Sequence, residues 1–215
     1  MVPETPQVRD AIAHIKSAGA YVVAFVSDLP NTRCDHFIGI DNFSAGQTAG
    51  ALLGRFLRKE TGCILVTSNS MVARDSIERR HGLDEVLLRD FPKLRVLPTV
   101  EFHDDPQRIR DTLARAAATH ADLKAVYSMG SGNAIMLEAL RESAAGLDLV
   151  VVAHDLTPVT RQALVDGEVD AVIAQNVGHL TRSALRVLRA KCDDAGIYEA
   201  QEQIRIEIVM RENLY

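Results

Sequence analysis

The sequence predicts an α/β fold built on parallel sheets, and three observations carry that prediction. Short apolar, β-branched runs alternate with helical segments along the whole chain, the pattern of helices crossing over between parallel strands. Several of the strands are apolar throughout, as strands covered on both faces are. Polar residues recur at the strand ends, the edge where open α/β sheets bind ligands.

Met1 and Val2 read as the tail of a strand, so further sequence is expected upstream. Thr5 can cap a helix with Pro6 in its first turn; Val8, Ile12 and Ile15 keep helical spacing to Ser17, and Gly19 follows. Tyr21–Val26 is a strand ending at Ser27 and Asp28. Phe37–Ile40 is a short strand ending at Asp41 and Asn42. Ser44 is the expected cap of a helix to about Leu57, whose Ala45, Gly46, Ala49 and Gly50 allow close packing. Cys63–Thr67 is a strand followed by the loop Ser68-Asn69-Ser70. Arg74–Leu88 is a charged amphipathic helix, and Leu94–Val100 a strand. Asp-Asp-Pro opens a helix from Asp105 to Thr119. Leu123–Tyr127 is a strand ending in Ser128-Met129-Gly130-Ser131-Gly132-Asn133, with a helix to about Ala144.

The clearest unit then runs to Asn176. Leu149–Ala153 is a strand, Thr157 caps a helix with Pro158 at its first position, and Gly167 supplies a left-handed stop. Val169–Ala174 is the next strand and delivers Gln175. A helix between parallel strands places Asp155 and Gln175 on one carboxyl edge. Leu180–Lys191 is a helix, and Ile204–Val209 an alternating final strand.

The chain has 215 residues, 47% hydrophobic and 25% charged, with net charge −5 and pI near 5.8. This is a globular profile, and it argues against a basic nucleic-acid face in these residues. Cys34, Cys63 and Cys192 form no CxxC pair and read as reduced thiols. No apolar run spans about 18 residues, so no membrane span is expected, nor a signal peptide.

The polar strand ends carry the chemistry. Ser27 and Asp28, Asp41 and Asn42, Ser68 and Asn69, Ser131 and Asn133, Asp155 and Gln175, with Arg79 on a nearby helix, offer carboxylates, amides and a guanidinium. Acids accept, arginine donates and amides do both, which suits a polyhydroxy ligand. Each unmatched buried partner costs about 1–3 kcal/mol, and this is how such a site discriminates. Plainer roles stand beside these. Asp41 or Asn42 can cap a helix, Ser68–Ser70 can form a turn, and Arg79 taken alone reads as part of an exposed salt-bridged face. Gly130-Ser131-Gly132 lacks the rest of a phosphate loop. His154 beside Asp155 has no nucleophile motif to serve, so no enzyme is expected. His36, His81, His103 and His179 show no metal-ligand spacing; no metal or cofactor is expected.

These residues resemble the effector-binding domain of the lac repressor (LacI/GalR) family of transcriptional regulators. The segments FVSDLPNTRCDHFIGIDNFSAGQTAGALLGRFL, IERRHGLDEVL, VYSMGSGNAIMLEAL, VVAHDLTPVTRQALVDGEVDAVIAQN and IRIEIVMRENLY carry the resemblance over nearly the whole chain. It implies a type I periplasmic-binding-protein fold, two Rossmann-like lobes with parallel sheets joined by three crossovers. Residues 1–40 with 176–203 would form a partial N-terminal lobe, and 41–175 with 204–215 the C-terminal lobe. It implies a sugar or sugar-like effector between the lobes, held by Asp28, Arg79, Asp155 and Gln175; the strand ends add Ser131 as a ligand contact, where many sugar binders place Asn, and Asp41, Asn42 and Asn176 at the hinge or cleft edge. It further implies a cytoplasmic homodimer that reads operator DNA through an upstream helix-turn-helix. The rival is a periplasmic sugar-binding protein of an ABC transporter. The REN tail and the HDLT turn are closer to the regulators.

Overall fold

The computed structural model describes residues 4–58, 61–144 and 146–214. Met1 and Val2, read above as a strand's tail, lie outside the described residues. Thr5 caps α1 (Pro6–Ser17), accepting from the Val8 amide at 3.3 Å, and Pro6 sits where a missing N–H leaves nothing unpaired. β1 (Val23–Phe25) and β2 (His36–Ile38) pair in parallel as a two-stranded sheet.

The larger sheet has seven strands: β3 (Gly62–Ser68), β4 (Leu94–Val96), β5 (Val100–Glu101), β6 (Leu123–Ser128), β7 (Val150–His154), β8 (Ala171–Gln175) and β9 (Ile206–Val209). Their order is β4-β3-β6-β7-β8-β9, with β5 also on β3. Two expectations change here. The strand expected over Leu94–Val100 breaks into β4 and β5, because Pro98 in the gap has no N–H to give the ladder. The last strand is antiparallel to β8, Gln175 pairing with Ile206. The chain leaves β8 at its carboxyl end and returns from that same end, so no crossover separates them.

Alternation along each strand sorts two hydrophobic layers. Ile64, Val66, Ala125, Tyr127, Val152 and Ile173 face α2 (Asn42–Phe56), α3 (Arg74–Asp90) and α7 (Val177–Cys192). Cys63, Leu65, Val126, Val151, Ala153 and Val172 face α4 (Pro106–Thr119), α5 (Asn133–Ser143) and α6 (Pro158–Asp166). The first layer runs on through Ile38, Ile40 and Leu180, and α7 packs on β1 and β2. Apolar packing therefore reaches from one sheet to the other.

Two helix starts show how local sequence sets these elements. α2 begins at Asn42, two residues before the expected Ser44 cap, because the Asp41 carboxylate accepts from the Ser44 amide at 3.1 Å. α6 is stopped at both ends as read: Thr157 and Thr160 cap each other reciprocally, and Gly167 closes the helix at φ 74°.

α2 and α3 pack closely through glycine. A Cβ added at Gly46 would lie 2.1 Å from the Arg79 carbonyl oxygen, and one at Gly82 would lie 2.1 Å from that of Phe43. Both distances are far inside van der Waals contact, so the backbones meet only because these side chains are absent.

Candidate functional site

From β3 the chain crosses to β4 on one side of the sheet and later to β6 on the other. The connections that leave the carboxyl ends of β3 and β6 therefore part company over strands that stay paired to Thr67 and Ser128, leaving the crevice that doubly wound sheets use for ligands. A cavity of about 480 Å³ opens there, lined by Ser68, Asn69, Ser70, Ser76, Asp104 and Ser131 among others. The second loop passes this edge with Gly130 at φ 135° and Gly132 at φ 93°, a conformation that suits glycine.

Arg79 is the centre of the polar network. It is 2% exposed, which corrects its reading as an exposed helix-face residue. Its Nε donates to Asn42 Oδ1 at 3.0 Å, and Nη1 donates to the Met129 carbonyl at 2.7 Å. Nη1 also stands 3.8 Å from Asp75 Oδ2, one helical turn earlier. A buried guanidinium needs such partners, since an unpaired buried charge costs several kcal/mol. The point that a Cβ of Gly130 would occupy is 3.3 Å from Arg79 Nη1 and 3.8 Å from Asp155 Oδ2. Arginine and carboxylate thus approach the same patch of bare backbone.

Asp155 follows β7 and has φ 67°, a left-handed conformation uncommon for a residue with a side chain. Its amide donates to the Ile173 carbonyl at 2.9 Å, and its own carbonyl accepts from Thr160 Oγ1 at 2.8 Å. These bonds hold the strained turn. Gln175, at the end of β8, donates through Nε2 to Asp155 Oδ1 at 3.5 Å, a long bond. Its Oε1 is buried with no partner among the described residues. The two side chains do meet at one sheet edge.

Beneath them lies a neutral pair. Tyr127 Oη and His154 Nε2 are 2.6 Å apart and fully buried. Burial pushes the imidazole well below its usual range, and the Arg79 charge pushes it further down. Burial also pushes the Tyr127 phenol up, so both stay uncharged. Asn133 braces the layer, accepting from Ser128 Oγ at 2.6 Å and donating to the His154 carbonyl at 2.8 Å.

The site residues expected from sequence separate into groups. Arg79 and Asp155 come together at Gly130, with Asn42 bonded to Arg79 and Gln175 to Asp155, and Ser131 lines the adjoining cavity. Asp28 lies apart from that cavity, in a smaller one of about 190 Å³ shared with Glu4, Arg9 and Arg74. Its Oδ1 accepts from the Leu29 amide at 2.7 Å. Asp41 and Asn176 open α2 and α7, and both serve as caps, Asn176 accepting from the His179 amide at 2.8 Å. Sequence reasoning missed Asp75, which is 0% exposed and accepts from Ser27 Oγ at 2.8 Å. Its signal was present in the four-residue spacing to Arg79 on one helix face.

Comparison with known proteins follows the same lines. The family model for the periplasmic binding protein domain matches residues 2–196. No curated protein matches the chain by sequence. Similar solved structures include GanP, a glucose-galactose binding protein from Geobacillus stearothermophilus, at 18% identity and TM-score 0.86, covering 99% of this chain and 75% of that one. An ABC transporter solute binding protein from Burkholderia graminis, in complex with D-arabinose, has 24% identity and TM-score 0.85, covering 98% and 73%. One from Agrobacterium vitis with bound D-fucose has 19% identity and TM-score 0.83, covering 96% and 71%.

Proposed function

Because this chain belongs to the periplasmic binding protein domain family, we propose that it binds a neutral carbohydrate over the carboxyl edge of the larger sheet, where β6, β7 and β8 end beside the cavity. The observation that carries this reading is the convergence of Arg79 and Asp155 on Gly130, with Gln175 bonded to the same Asp155 carboxylate. The trio offers a fixed donor, a carboxylate acceptor and an amide that does both, the set that matches a run of hydroxyls. The Gln175 oxygen without a partner supports it, since a buried acceptor left unmatched costs about 1–3 kcal/mol that a ligand hydroxyl would restore. Neighbours solved with D-arabinose and D-fucose support the ligand class. Thermal shift against a panel of neutral sugars, acidic sugars and amino acids tests it. A neutral sugar should raise Tm in a concentration-dependent way. Stabilisation by amino acids alone would sink the reading.

Of two settings for this module, the neighbours favour a sugar receptor of an ABC transporter. A LacI-type regulator is the second reading. It rests on the His154–Thr157 turn and on the tail, where β9 runs into a single 3-10 turn over Arg211–Asn213 tied back by Asn213 Nδ2 to the Ile208 carbonyl at 2.9 Å. In that setting the protein is a cytoplasmic dimer, and the sugar shifts DNA binding by its differential affinity for two lobe arrangements. Cell fractionation and operator gel shift on the whole protein separate the two. Recovery in the periplasm without DNA binding selects the receptor, and a sugar-responsive shift selects the regulator.

A further inference from the structure

We propose that Cys63, His120 and Asp122 form a site for a divalent transition metal of the zinc class, on the sheet edge opposite the sugar crevice. Cys63 lies at the start of β3, and Asp122 immediately precedes β6, so the group sits at the amino ends of the strands. His120 follows the last residue of α4. A tight turn, with the Leu123 amide donating to the His120 carbonyl at 2.9 Å, sets His120 and Asp122 side by side. The Cys63 amide donates to the Asp122 carbonyl at 2.8 Å, which fixes the third member against them.

One ligand atom from each residue lies within 4.8 Å of the other two. Cys63 Sγ and Asp122 Oδ1 are 3.7 Å apart. Tetrahedral zinc, with bonds of about 2.3 Å to sulfur and about 2.0–2.1 Å to nitrogen or oxygen, holds its ligand atoms about 3.3–3.6 Å from one another. Thiol and carboxylate already stand near that spacing, and the imidazole closes the group by moving roughly 1 Å inward. Thiolate, imidazole and carboxylate form a borderline-soft set that selects zinc or cobalt over calcium or magnesium.

The local charge agrees. α4 ends at this point with no basic residue in its last turn, so its negative end is uncompensated within the helix. Arg95 reaches Asp122 Oδ2 at 3.4 Å, an exposed pair of little strength that leaves Oδ1 towards the sulfur. A divalent cation would replace the thiol proton that Cys63 now donates to Asp122 and staple the start of β3 to the turn before β6. With Asp122 exposed and His120 half-buried, a fourth position faces solvent.

The test is cobalt(II) titration of the full chain carrying Cys34→Ser and Cys192→Ser, so that Cys63 is its one thiol. One equivalent should give a thiolate-to-cobalt charge-transfer band that zinc displaces. Zinc at a hundredfold its Kd should raise Tm by about 5–10 °C. Because Cys63 belongs to the core, the deciding variants are His120→Ala and Asp122→Asn, which keep the fold and should weaken metal binding at least 100-fold while leaving sugar affinity unchanged. Absence of the band, or a band that survives both variants at full affinity, would overturn the proposal.

Discussion

Ser27, on the loop after β1, donates to Asp75 Oδ1 at 2.8 Å, so the two sheets share one buried carboxylate. The other oxygen of Asp75 faces Arg79 Nη1 at 3.8 Å, and Arg79 in turn holds the loop after β6. The polar network of the crevice is thereby joined to the smaller sheet.

Removing the hydroxyl tests that link. Ser27→Ala leaves a buried carboxylate oxygen without its donor, and urea unfolding should show a loss of about 1–3 kcal/mol. Unchanged stability would mean that the bond contributes nothing to joining the sheets.

In the proposed site Gly130 leaves the space between Arg79 and Asp155 free of a side chain. At φ 135° a side chain is strained, and its Cβ would meet Arg79 and Asp155. Gly130→Ala should weaken sugar binding at least tenfold by calorimetry while the far-ultraviolet circular dichroism stays unchanged. Full affinity would place the ligand elsewhere.

In the proposed site Asp155 supplies the carboxylate. Asp155→Ala should reduce sugar affinity below detection in calorimetry with the fold intact. Its φ of 67° makes any non-glycine residue there mildly strained, so Asp155→Gly, which relieves the strain yet removes the acid, should also fail to bind. Binding by either variant would remove Asp155 from the site.

The buried His154 predicts a pH dependence. Its folded-state pKa lies well below the ordinary 6.5, through burial first and the Arg79 charge second. An unfolded chain therefore takes up a proton that the native one refuses as pH falls below about 6.5. Stability should be level in this respect above that value and decline below it. His154→Gln, with no proton to bind, should flatten the decline measured by urea unfolding from pH 7 to pH 5. An identical decline in the variant would assign it to other groups.

Much of this fold was legible because it is written locally. Thr157, Pro158 and Gly167 start and stop α6 by chemistry confined to a few residues. Strand ends delivered Asp155 and Gln175 to one edge because a parallel crossover leaves them nowhere else to go. What escaped was decided across the molecule. Arg79 sits between Glu78 and Arg80 and gives no local hint that tertiary packing buries it while Arg80 pairs with Asp84 nearer the surface. Asp41 and Ser44 both suit a cap, and only the backbone geometry chose Asp41. The direction of β9 depended on where the chain returned after α7, which no periodicity records.

The paired absence of side chains at Gly46 and Gly82 has a consequence for redesign. Main chain rests on main chain there, and Arg79 is itself one of the residues in contact. Its backbone is thus set by two rods that cannot slide without collision, while Asn42 and the Met129 carbonyl hold its guanidinium. A library aimed at altering ligand preference should hold both positions constant and vary the cavity lining at Asn69, Ser70 and Ser131 instead.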